Sequence, residues 1–161
     1  MRALTLLLAL LAAEQAFAFD ANGFRAGMTL EEGLRVLRSH GADKVIPTQS
    51  GGTTIYVAND ESIMFCDGHL VQYEYYVDRG IRPFLRLVAH EQLQRGLGIS
   101  EVSSDQTSLG EFWRIEFRWP LGSDRKIIEY TLRSDGNEQV SVLFEKGPFG
   151  PGRSFARGAC K

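Results

Sequence analysis

Leu30, Leu34 and Leu37 recur at i, i+4 and i+7, a spacing that places them on one stripe of a helix. Thr29-Leu30-Glu31-Glu32 at the start of that stripe fits a capping box, in which the threonine hydroxyl and a glutamate carboxylate each satisfy a backbone N–H left unpaired at a helix start. The pattern predicts a helix from about Leu30 to His40, closed by Gly41, with the His40 imidazole complementing the dipole at its C-terminus. A second helix follows from Ile81, Phe84, Leu85, Val88, Ala89 and Leu93, which hold a helical period up to Gly96 and Gly98.

Elsewhere the period is two. Thr53–Ala58, Glu61–Cys66 and His69–Asp78 read as strands joined by Asn59-Asp60 and by Asp67-Gly68, the latter a strong hairpin signal. Residues 111–119, 125–133 and Glu138–Glu145 read as three more, with turns at 120–124 and Asp135-Gly136. Gly41-Ala42-Asp43-Lys44-Val45 lines up with Gly98-Ile99-Ser100-Glu101-Val102, as expected of a duplicated module. The predicted fold is therefore α+β: two duplicated units, 19–80 and 81–146, each a helix plus a three-stranded antiparallel meander, with the helices packed on one face of the sheet.

Pairing strictly through Asp67-Gly68 puts Met64 and Cys66 with Val71, Tyr73 and Tyr75 on a face that should meet the helices. Tyr56, Ile63, Phe65, Leu70 and Tyr76 then share the opposite face, which is more apolar than a solvated sheet face requires. In the second meander Trp113, Ile115, Phe117 and Trp119 alternate with Arg114, Glu116 and Arg118. A bulged three-residue loop at Asp135-Gly136 leaves Glu129, Thr131, Arg133, Gln139 and Ser141 on the outer side with those charges. The candidate partner-binding set is Tyr56, Ile63, Phe65, Tyr76, Arg114, Arg118 and Arg133, since Tyr and Arg dominate interface energetics. Two readings of the aromatic half stay open: a docking surface, or a surface covered by the C-terminal tail or by the other half.

Met1-Arg2, the apolar run from Ala3 to Ala13 and the small-x-small pattern Ala16-Phe17-Ala18 read as a secretory signal peptide over residues 1–18, with the mature chain starting at Phe19. The run is too short to span a bilayer, so no membrane span is expected. Export makes the protein periplasmic or secreted, and in an oxidising compartment Cys66 and Cys160 are expected to form a disulfide. That bond would tether the Gly/Pro-rich tail 147–161, whose cations Arg153, Arg157 and Lys161, with Lys146 before them, could make weak contact with anionic lipid.

An exported chain with two helix-plus-meander units resembles the tandem modules of β-lactamase inhibitor proteins and the single module of SmpA/OmlA-type envelope-assembly lipoproteins. The shared residues are Gly27-Met28-Thr29 followed by Glu32, Leu37 and Gly41. The chain departs from the lipoproteins in lacking a lipid-anchor cysteine and from both in showing one clear helix per unit. The resemblance implies a target docked on the open sheet face.

The chain has 161 residues, 43% hydrophobic and 24% charged, with a net charge of -2 and no sustained Lys/Arg block, which argues against phosphate-neutralising nucleic acid binding. Two cysteines and histidines at 40, 69 and 90 supply no local zinc site, and His90-Glu91 is followed by Gln94 where a second zinc-binding histidine would stand. No nucleophile elbow or phosphate-binding glycine loop occurs, so no metal, cofactor or catalytic residue is expected. The functional expectation is a module that binds another exported or envelope protein, as an inhibitor or an assembly accessory. The alternatives are a small exported hydrolase and a structural envelope protein.

Overall fold

A computed structural model describes residues 19–50, 53–107 and 110–147. The expected leader at 1–18, Cys160 and all of the tail but Gly147 lie outside the described residues. The elements in chain order are β1 (Asp20–Ala21), β2 (Phe24–Arg25), α1 (Leu30–Ser39), β3 (Ile46–Ser50), β4 (Thr53–Ala58), β5 (Glu61–Cys66), β6 (His69–Asp78), α2 (Ile81–Arg95), β7 (Ile99–Thr107), β8 (Gly110–Leu121), β9 (Asp124–Arg133) and β10 (Glu138–Glu145).

The architecture corrects the expected one. In place of two duplicated α+β units of a helix and a three-stranded meander, the protein is mostly β, with two helices and one large antiparallel sheet of order β3-β4-β5-β6-β10-β9-β8-β7. The period-two pattern missed β3 and β7 for a physical reason. Both are edge strands whose described side chains are exposed, so neither face of them is held to apolar alternation. Pro47 further disguises β3, and β7 reads Ile-Ser-Glu-Val-Ser-Ser-Asp-Gln-Thr. The sheet is continuous because β6 pairs with β10, from Val140 opposite Asp78 to Glu145 opposite Gln72.

Both helices pack on the same face. Thr29 and Glu32 complete the capping box at α1, with Glu32 Oε2 accepting from the Thr29 backbone N–H at 2.8 Å. Leu37 of α1 is buried with Phe24, Ile63, Phe65, Leu70 and Tyr73. Phe84 and Val88 of α2 are buried with Trp119, Ile128, Tyr130, Val140 and Val142. Tyr75 and Phe144 pack against both groups and so join them. Each fully buried side chain of this size contributes about 1.5–3 kcal/mol. Trp119 Nε1 donates to the Gly96 carbonyl at 2.9 Å, fixing the exit of α2.

Gly33 sets how closely α1 approaches the sheet. A β-carbon there would stand 2.7 Å from Phe65 Cζ, a ring atom of a buried residue that cannot swing away. On an open helix surface Gly→Ala would stabilise by about 1 kcal/mol. Here the clash reverses the sign, and Gly33→Ala is expected to destabilise by about 1–3 kcal/mol. Urea unfolding checks this, and trimming the obstructing ring in Gly33→Ala/Phe65→Leu should cost less than the two single losses together.

Candidate functional site

The sheet register decides which sequence-predicted residues meet. Phe65 lies opposite Leu70 but Met64 lies opposite Gln72, so Val71 is an extra residue in β6. That bulge reverses the phase of the rest of the strand. Ile63 and Phe65 therefore share a face with Tyr73 and Tyr75 beneath α1, at 0% and 4% exposure. Tyr56 packs edge-on against Phe65 at 5.9 Å on the same side. All three leave the expected outer surface, Ile63 and Phe65 for the core and Tyr56, half-buried, for its edge. Tyr76 stays outside, with Ser62, Met64, Gln72 and Glu74. The sequence carries the signal: Leu70-Val71 are adjacent apolar residues, and alternation restarts one step out of phase at Gln72-Tyr73-Glu74-Tyr75.

In the other half the expected faces hold. Val140 lies opposite Tyr130 and Val142 opposite Ile128, the register of a bulged final hairpin. Arg114, Arg118 and Arg133 thus share the open face with Glu116, Glu129, Thr131, Gln139 and Ser141. Glu101, Glu116 and Glu129 are direct neighbours across β7, β8 and β9, an arrangement that like-charge repulsion disfavours. Arginines offset it. Arg118 bridges Glu101 and Glu116, while Arg114 lies 3.1 Å from Glu129 and 3.6 Å from Glu116. Arg133 pairs with Asp135 at 3.2 Å. Further along the same face Arg125 and Glu145 form a buried pair at 2.5 Å.

Compensation is incomplete at Glu129. Burial pushes its carboxyl up to about 7, helped by the Glu74 and Glu116 charges and opposed by Arg114 and by the Thr131 hydroxyl, which donates to it at 2.9 Å. Burial likewise raises Glu145, against the pull of Arg125. Beside this network, over the ends of β5, β6 and β10, lies an open cleft of about 390 Å³. Tyr76, Glu74, Ser62, Asp60, Arg79 and Glu138 are among its lining residues. Tyr76 links cleft and network, since it stands opposite Ser141, which itself stands opposite Glu129. Neither Glu74 nor the cleft was singled out from sequence, because both depend on the bulge and on β6–β10 pairing.

Among the histidines, His40 reaches the edge of the cleft through Glu61, one of its lining residues. His40 Nδ1 lies 2.8 Å from Glu61 Oε2, and Tyr73 donates to Glu61 Oε1 at 2.5 Å, tying the end of α1 to β5 and β6 on the helix side. Burial, then the bond to Glu61, raises the Tyr73 phenol well above its usual value, so it remains a neutral donor. His69 stands opposite Cys66, with its Nδ1 3.1 Å from the Gly27 carbonyl. Cys160, the partner expected for Cys66, lies outside the described residues. Among the described residues no group of three or more His, Cys, Asp or Glu could hold a metal ion, and no helix is long and apolar enough to cross a membrane. No family profile, curated protein or solved structure is found to match this chain.

The raised Glu129 carboxyl makes stability pH-dependent. Between the ordinary carboxylate value of 4.5 and about 7, the folded state keeps a proton that the unfolded chain has released. Stability therefore falls as pH rises through that window. Glu129→Gln is expected to make the fall shallower, Glu145 contributing the remainder, as measured by thermal unfolding from about pH 4.5 to about 8.5.

Proposed function

We propose that this chain is an exported protein-binding module that docks another exported or envelope protein on the open face of its sheet, around Tyr76, Arg114, Arg118 and Arg133. One observation carries the reading: the two helices cover a single face, and the opposite face presents arginines and Tyr76 beside an open cleft of mixed charge. Arg and Tyr supply most of the binding energy at protein interfaces, and a charge network already held in place loses little freedom on docking. Ile63 and Phe65 have no part in it, being core residues, and Tyr56 packs against that core on the helix side. The Ala16-Phe17-Ala18 pattern supports export to the periplasm or the medium.

Tyr76→Ala/Arg133→Glu should abolish partner binding and leave the unfolding midpoint unchanged. Capture from an extract of exported proteins of the source cell checks this. A stoichiometric protein held by the wild type and bound at least tenfold more weakly by the variant is the expected result. Equal capture by both chains, or none by either, overturns the reading.

In the same compartment a Cys66–Cys160 disulfide would tether the tail. It would close a loop of about 95 residues and stabilise the fold by up to about 4.7 kcal/mol in the chain-entropy account. Non-reducing peptide mapping should recover the two cysteines in one crosslinked peptide, and Cys160→Ser should lower stability by the same order.

A further inference from the structure

The N-terminal hairpin β1–β2 is anchored by an unusual contact at Phe19. Its backbone N donates to Asp124 Oδ2 at 2.7 Å, in a buried bond that joins chain positions 105 residues apart. The Phe19 carbonyl accepts from Ala26 N at 3.2 Å, and its ring packs 5.9 Å from that of Phe144. Phe19 and Asp124 are 2% and 3% exposed. Among the described residues, the other donors to Asp124 are the Gly147 N–H at 3.0 Å and the Ser123 hydroxyl at 3.1 Å, both to Oδ1. Every one of these donors is neutral in the unprocessed chain. Among the described residues Asp124 has no ion-pair partner, and a buried carboxylate without a cation is costly.

Asp124 thus meets the chain at the residue that follows Ala16-Phe17-Ala18, the pattern at which a leader would be removed. We propose that Asp124 is a receptor for the new N-terminus: cleavage of the Ala18–Phe19 bond frees an α-ammonium group at Phe19 that forms a buried ion pair with the Asp124 carboxylate and locks the mature fold. This rests on the export reading. In the step itself, a leader peptidase of the export pathway adds water across the peptide bond. The hydroxyl goes to the Ala18 carbonyl carbon and the proton to the Phe19 nitrogen, giving a carboxylic acid and an amine; the acid's proton then passes to the amine, leaving a carboxylate and an ammonium. The neutral N–H···O bond then becomes a charge-assisted one. The same position of Phe19 serves both forms, so processing changes the charge at the contact and leaves the packing of β1 as it stands.

The test begins with the mass of the protein recovered after export, which should start at Phe19. Retention of residues 1–18 overturns the export reading itself. A start at some other residue overturns the proposal alone. The purified mature chain is then compared with one that retains Ala16-Phe17-Ala18, each with and without Asp124→Asn. The extension is expected to lower the Tm by about 5 °C or more in the wild type and to have little effect in the Asp124→Asn background. Equal shifts in the two backgrounds, or no shift in the wild type, overturn the proposal. Acylation of the α-amine at neutral pH provides a readout that does not depend on the variant folding. The Phe19 amine should react at least tenfold more slowly than the amine of the extended chain, and equal rates overturn the proposal.

Discussion

The pairing of β6 with β10 is the contact on which the rest of the molecule depends. Each helix is followed by four strands, and in each series only the last strand lies at the middle of the sheet. Joining those two strands removes two exposed edges at once and places Tyr75 and Phe144 where both helix-side cores touch them. A side chain belonging to both cores couples them, so loosening either half exposes apolar surface in the other. The remaining edges fall on β3 and β7, the two strands whose sequences carry the weakest strand pattern.

One consequence is a clear division of the faces. The helix side is apolar and aromatic, with Phe24 stacked on Tyr73 at 4.3 Å and Phe84 tilted against Tyr130 at 5.8 Å. The opposite side carries the charges, and there the antiparallel register forces glutamates of three adjacent strands into one row. Such a row persists because Arg114 and Arg118 interleave it, and burial makes Glu129 keep its proton to higher pH despite Arg114. The same register brings Tyr76 and the cleft next to that row. The proposed docking face thus follows from strand pairing, without any loop built for the purpose.

Asp124 works at the opposite end of the design. By accepting from Phe19 and from Gly147 it holds the first and last of the described residues at one buried carboxylate at the start of β9. The N-terminal hairpin contributes Phe19 and Phe24 to the core, so whatever holds Phe19 also holds part of the cover over β6.

Local chemistry in the sequence determined the parts of this protein that need no distant partner. The capping box at Thr29 and Glu32, the span of α2, the turns at Asp67-Gly68 and Asp135-Gly136 and the outward placing of Arg114, Arg118 and Arg133 all arise from residues within a few positions of one another. Tertiary structure decided what depends on a neighbour far along the chain. A single bulge at Val71 turned Ile63 and Phe65 inward, because side-chain direction in a strand has period two and one extra residue inverts everything beyond it. The merging of two expected units into one sheet required β6 to meet β10, a pairing between segments separated by a helix and three strands and so invisible to any local pattern. The partner of Asp124 lies 105 residues away for the same reason: a buried carboxylate is recognised by what the fold brings to it.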